Sequence, residues 1–158
     1  MKVLFICSGN SCRSAMAEGL MRTLVPEEFR SRIQVASAGT LGINGSPATE
    51  FAIVAASRYG ADIRSHRSQG ITPELVKEAD IILGMTTDHL RHVQSLYPGV
   101  RENTFLLKTF GRDKSRRLEV NIPDPIGRSL EVYEECCYEI HSEIKRILPR
   151  LIQMVEDR

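Results

Sequence analysis

The chain has 158 residues, 42% apolar and 26% charged, a makeup that predicts one soluble domain and excludes a fibre or a disordered tail. With 21 Lys and Arg against 20 Asp and Glu the net charge is +1, so bulk charge gives no reason to expect nucleic acid or a membrane surface, and any anion must be held locally. Four cysteines are too few for a disulfide scaffold, and Val3-Leu4-Phe5-Ile6 is too short for a signal-peptide core or a membrane span, so a reducing, cytoplasmic setting is expected.

The first expected strand covers residues 2–6, and it is cut off by Cys7-Ser8-Gly9-Asn10. Residues 14–24 then change to helical period, with Met16, Leu20, Met21 and Leu24 three and four apart. A second strand is expected at 33–36, and a helix at 47–59 that carries Phe51, Val54 and Ala55 and stops before Gly60. Thr72-Pro73-Glu74-Leu75 reads as an N-cap followed by Pro at the first helical position, opening a shorter helix. The third strand is expected at 80–85 around Ile81-Ile82-Leu83, then a helix at 87–97 ended by Pro98-Gly99, then a fourth strand at 104–107. Gly111-Arg112-Asp113-Lys114-Ser115-Arg116-Arg117 reads as a solvated loop, with a second reading as a basic lip that attracts phosphorylated substrate. From Leu130 onward Val132, Cys136, Ile140, Ile144, Ile147, Leu151 and Val155 form one helical stripe, which Pro149 is expected to kink or interrupt. Apolar strands alternating with helices predict an α/β architecture, a single three-layer domain over 1–158 with a four-stranded parallel sheet and helices on both faces.

Chemistry concentrates in Cys7-Ser8-Gly9-Asn10-Ser11-Cys12-Arg13-Ser14, between the first strand and the first helix. A strand-to-helix loop turns successive backbone N–H groups inward at the positive end of a helix dipole, which makes a cradle for a tetrahedral oxyanion such as phosphate. Arg13 offers a planar fork for two phosphoryl oxygens, and the same field favours the thiolate of Cys7, the expected nucleophile. Gly9 is expected to supply a positive φ, and Asn10 to tolerate one or to tie the loop together through its side chain. An isolated Cys-x5-Arg occurs by chance, but here it coincides with strand, Gly, Ser and helix.

The opening from Val3 to Leu20 resembles that of the low molecular weight protein-tyrosine-phosphatases. Ser37-Ala38-Gly39-Thr40, Ser65-His66-Arg67-Ser68, Ala79-Asp80 with Met85-Thr86, and Asp124-Pro125 fall where that family has similar motifs, so the resemblance spans nearly the whole chain. It implies a phosphocysteine intermediate on Cys7, phosphate bound by Ser8, Gly9, Asn10, Ser11 and Cys12 together with Arg13, and neither cofactor nor metal. It also implies phosphorylated proteins as substrates, inorganic phosphate as product, no nucleic-acid or membrane partner, and a monomer. Asp124 is then the general acid, since a thiolate attacking phosphorus needs its leaving group protonated, and in the second step the same carboxylate activates water. On residues alone Asp124 reads more readily as an Asx or Asp-Pro turn residue between Pro123 and Pro125, and only the rest of the constellation reverses this. Ser14 resembles the family's hydroxyl that bonds the departing thiolate, and His66 a residue bonded to the phosphate loop.

Tyrosine-specific members wall their pocket with aromatics, whereas this chain has no Trp and reads Leu41-Gly42-Ile43 and Ile126-Gly127 at those places. Leu41 and Ile126 are therefore expected to make aliphatic walls. Ser11, where tyrosine phosphatases carry a bulky aliphatic residue, resembles together with Asn44-Gly45 and Asp-Pro-x-Gly the bacterial protein-arginine-phosphatase branch, although that branch commonly has Thr at the Ser11 position and Phe at that of Ile126. Phosphoarginine is favoured, with phosphotyrosine as the alternative. An arsenate reductase shares the loop but needs shuttle cysteines after the third strand, and 82–100 contains none. A zinc site from Cys7, Cys12, Cys136 and Cys137 lacks ligand spacing, and a non-catalytic phosphate-binding module would have no need of Cys7, Arg13 and Asp124 together. A reversible Cys7–Cys12 disulfide is a further expectation.

Overall fold

The computed structural model describes residues 1–113 and 119–158. Its strands β1 (Lys2–Cys7), β2 (Gln34–Gly39), β3 (Ile81–Gly84) and β4 (Thr104–Leu106) form one parallel sheet in the order β2-β1-β3-β4. The helices are α1 (Arg13–Leu24), α2 (Glu50–Ser57), α3 (Pro73–Glu78), α4 (Thr87–Leu96) and α5 (Leu130–Glu156), with 3-10 turns at Glu27–Phe29 and Pro98–Asn103. Successive side chains of β1 point to opposite faces. Val3, Phe5 and Cys7 enter the core shared with α1, α2 and α5, while Leu4 and Ile6 meet Val76 of α3 and Val93 of α4. Burial on both faces explains why β1 reads as an unbroken apolar run rather than an alternating one.

The sheet order places the chemistry. With β2 on one side of β1 and β3 on the other, the chain order reverses at β1, and a crevice opens at its carboxyl end, where Cys7 is the last strand residue. Parallel pairing brings the ends of β2 and β3 to the same edge, so loops distant in sequence converge around one point.

Four expectations need correction. β2 runs three residues beyond 36, because Ser37, Ala38 and Gly39 pair in register with Phe5, Ile6 and Cys7, and these small residues carry no hydrophobic signal. The second helix is shorter than 47–59 and begins after Thr49; its buried face is Ala52, Ala55 and Ala56, while Phe51 and Val54 are exposed. Helix α5 passes Pro149 without interruption. Pro149 and Lys145, whose carbonyl loses its donor, lie on the exposed face where water can serve, while Leu148, Leu151 and Val155 stay packed. Finally, Arg112 is not part of a free lip: it donates to the Lys108 carbonyl at 2.8 Å and to Glu143 of α5 at 3.0 Å. The rest of the proposed basic lip, 114–117, lies outside the described residues. Among the described residues no helix is long and apolar enough to cross a membrane.

Candidate active site

The loop between β1 and α1 is held by one residue more than any other. Asn10 has φ 57, the left-handed region expected of Gly9, which does not adopt it. An Asn tolerates that conformation and can be fastened by its side chain, which Gly cannot. Asn10 Nδ2 donates to Ser14 Oγ and to Ser37 Oγ at 2.8 Å each, and its Oδ1 accepts from the Gln69 N–H at 3.0 Å. Its carbonyl accepts from His66 Nε2 at 2.6 Å. The end of β2 packs closely against this turn: a Cβ on Gly39 would lie 2.5 Å from the Ser8 carbonyl oxygen, so only Gly fits there.

Ser14 receives the Asn10 amide, and its own hydroxyl proton is left for Cys7 Sγ, 2.8 Å away. This geometry aims the Ser14 hydroxyl at the buried Cys7 sulfur. His66 also lies 3.8 Å from Glu18 through Nδ1. Burial opposes its charged form, but Glu18 and the Asn10 carbonyl outweigh burial and raise the His66 pKa above the ordinary histidine value. Nε2 bonds the Asn10 carbonyl and Nδ1 faces the Glu18 carboxylate of α1, so His66 ties α1 to the loop.

Arg13, at 3% exposure, is the other fixed element. Its Nη1 donates to the Ile122 carbonyl at 3.0 Å and its Nη2 to Ser8 Oγ at 3.4 Å. Asp124 Oδ2 stands 3.4 Å from the same Nη2. The Asx-turn reading of Asp124 and the reading as a site carboxylate therefore coexist, because Oδ1 accepts from the Ile126 N–H at 3.1 Å while Oδ2 faces the arginine. Among the buried side-chain nitrogens and oxygens of the described residues, Arg13 Nε alone has no hydrogen-bond partner.

Cys12 points into a polar niche, with Sγ 3.3 Å from Tyr133 Oη and 3.5 Å from Thr49 Oγ1. Burial, then the contact with Cys12, pushes the Tyr133 hydroxyl up to about 12, so it stays protonated. Ser11 sits at the loop rim, and its carbonyl accepts from the Thr49 N–H at 3.0 Å. Leu41, whose N–H donates to the Ser8 carbonyl at 3.0 Å, and Ile126, two residues after Asp124, are exposed at 66% and 57%. Asn44 ties the Leu41 loop down by accepting from the Gly70 N–H at 3.0 Å.

Several residues that shape the site gave no local signal, among them Gln69, Tyr133 and His89, and Ser37 was marked only by its place in a motif. His89 caps α4 through a box with Thr86, and its Nε2 lies 3.0 Å from Ser8 Oγ. The Thr86-to-His89 spacing is that of a capping box, but His is not the residue usually sought there. Cys136, as its place on the stripe led one to expect, and Cys137 are both core, and burial pushes both thiols up to about 12.

A parallel α/β sheet whose central strand ends in a Cys-x5-Arg anion cradle, with a carboxylate against the arginine, has the makeup of a cysteine-dependent phosphatase. The chain belongs to the family described as low molecular weight phosphotyrosine protein phosphatase, whose model it matches over residues 2–157, and it is a protein phosphatase. It is 32% identical over 149 residues to a probable low molecular weight protein-tyrosine-phosphatase EpsP of Ralstonia nicotianae, covering 94% of each chain. It is 29% identical over 151 residues to the protein-arginine-phosphatase of Bacillus subtilis, covering 96% of this chain and 97% of that one. The solved YwlE arginine phosphatase from Geobacillus stearothermophilus superposes with a TM-score of 0.87 at 29% identity, over 99% of this chain and 96% of that one.

Proposed function

We propose that the protein hydrolyses phosphorylated side chains of other proteins through a phosphocysteine on Cys7, with phosphoarginine preferred over phosphotyrosine. The observation that carries the phosphoryl site is Arg13 Nε: a buried guanidinium N–H left unpaired costs free energy, and an anion in the cradle would meet it. Cys7 Sγ attacks phosphorus, the S–P bond forms, and the P–N or P–O bond to the substrate breaks as Asp124 gives its proton to the leaving atom. Water then attacks phosphorus while the Asp124 carboxylate takes a proton. The S–P bond breaks, inorganic phosphate leaves, and Ser14 donates to the thiolate that returns. Arg13 and the loop N–H groups hold the equatorial oxygens throughout.

Three features support phosphoarginine. Leu41 and Ile126 stand at positions where tyrosine-specific members of the family have aromatics, and their exposed aliphatic side chains offer no ring to stack on phosphotyrosine. Ser11 leaves room beside the loop for a planar phosphoguanidinium, and Asp124 can pair with its positive charge as well as protonate nitrogen. Relatives named arginine phosphatases stand alongside the tyrosine phosphatases. A reductase cycle is disfavoured, since neither Cys136 nor Cys137 is a ready thiolate. The test compares kcat/KM for one peptide phosphorylated on Arg and its match phosphorylated on Tyr. A preference of about tenfold or more for phosphoarginine, reversed by Ser11→Ile, is expected. A phosphotyrosine preference would refute the argument from Ser11.

A further inference from the structure

We propose that the Ser8 side chain is a phosphoryl-binding donor of the cradle, and that His89 on α4 is the positioning residue that turns its hydroxyl proton toward the substrate. Ser8 Oγ lies 3.0 Å from His89 Nε2 and 3.4 Å from Arg13 Nη2. A hydroxyl oxygen accepts two hydrogen bonds and donates one. If both neighbours donate, the acceptor positions are full, and the Ser8 proton must go to a third group.

The other side of the His89 ring decides that it donates. The Thr86 N–H donates to His89 Nδ1 at 3.1 Å, which makes Nδ1 an acceptor and leaves the ring proton of a neutral imidazole on Nε2, facing Ser8. Burial, then the charge of Arg13, hold the His89 pKa down to about 4, so the ring is neutral through the physiological range. The cap of α4 therefore fixes a tautomer, and the tautomer fixes a hydroxyl at the end of β1, 81 residues away in sequence. Arg13 cannot take the Ser8 proton because a guanidinium has no acceptor. A phosphoryl oxygen seated against Arg13 can, and the donation strengthens as that oxygen gains charge in the transition state.

This rests on the Cys7 hydrolysis proposed above and is independent of the choice between phosphoarginine and phosphotyrosine. The experiment measures kcat and KM for a small aryl phosphate, with melting temperatures, for Ser8→Ala, His89→Gln, His89→Asn, Cys7→Ser and the Ser8→Ala/His89→Asn double variant. Gln places an amide N–H where Nε2 stood, while Asn places a carbonyl where Nδ1 stood. A Ser8-directing role predicts that Ser8→Ala and His89→Asn each lose about ten- to a hundredfold in kcat/KM, that His89→Gln keeps activity within about threefold, and that the double variant is no worse than Ser8→Ala. A purely capping role predicts the reverse rescue, with Asn active and Gln impaired in both melting and turnover, and that result overturns the proposal. Ser8→Ala within about twofold of the parent overturns it too. Turnover by Cys7→Ser would bring down the hydrolysis reading itself, whereas an inactive Cys7→Ser beside a fully active Ser8→Ala removes only the Ser8 assignment.

Discussion

Asn10 offers the most direct probe of how the cradle is held, because its side chain acts on the protein rather than on substrate. Replacement by Ala removes two amide donations at 2.8 Å and the acceptor for the Gln69 N–H at 3.0 Å. At about 1 kcal/mol net for each, the loss is about 3 kcal/mol. The φ of 57 adds a further penalty for Ala of about 1 kcal/mol, after allowance for the extra freedom an unfolded Gly would have. Asn10→Ala is thus expected to cost about 4 kcal/mol and Asn10→Gly about 3, within the 5–15 kcal/mol stability of about this size of domain. Urea denaturation followed by circular dichroism measures both, and kcat/KM falls with them as Ser14 loses the bond that orients it toward Cys7. A loss below about 1 kcal/mol in Asn10→Ala, or an Asn10→Gly variant less stable than Asn10→Ala, would refute the account of the loop.

Three other predictions follow from the same contacts. Cys7→Ser and Arg13→Ala are expected to abolish turnover, while Asp124→Ala slows it by about two to four orders of magnitude, less for substrates whose leaving groups need no proton; steady-state rates on two aryl phosphates of different leaving-group acidity distinguish these. The raised pKa of His66 means that its bonds to Glu18 and the Asn10 carbonyl are fully present below the ordinary value of 6.5 and fade as pH climbs through the folded value. The stability advantage of the parent over His66→Gln should therefore be full below the ordinary value of 6.5 and shrink as pH rises through the higher folded value, and a constant difference would show that His66 does not act as an imidazolium. Peroxide is expected to oxidise Cys7 to a sulfenic acid that Cys12 resolves as a disulfide with loss of water, restored by dithiol; Cys7 sulfonic acid beside a free Cys12 thiol by mass spectrometry would oppose it.

Residues 7–14 were legible because everything they need is contiguous: a strand that ends, a helix that begins, and between them the nucleophile and the arginine. The sheet was legible for a related reason, since strands buried on both faces leave unbroken apolar runs. Where that signal lapsed, at Ser37-Ala38-Gly39, the strand was cut short, although Ser37 and Gly39 are the residues on which the Asn10 turn rests. Asn10 was legible both as a residue that tolerates a positive φ and as one that ties the loop together, but the sequence equally offered Gly9, the commoner choice, for that conformation.

The sequence by itself determined the class of chemistry, since Cys7, Arg13 and Ser14 lie on one turn and helix start whose geometry is local. Only the tertiary structure decided what surrounds them. Parallel crossovers carry the ends of β2 and β3 and the turn before α5 to the same edge, so Gln69, His89, Ile122 and Asp124 meet residues 7–14 across sequence gaps that no periodicity records. The phosphate cradle is therefore a local motif, but its conformation and its donors are properties of the whole sheet edge, set by backbone pairing rather than by neighbours in the chain.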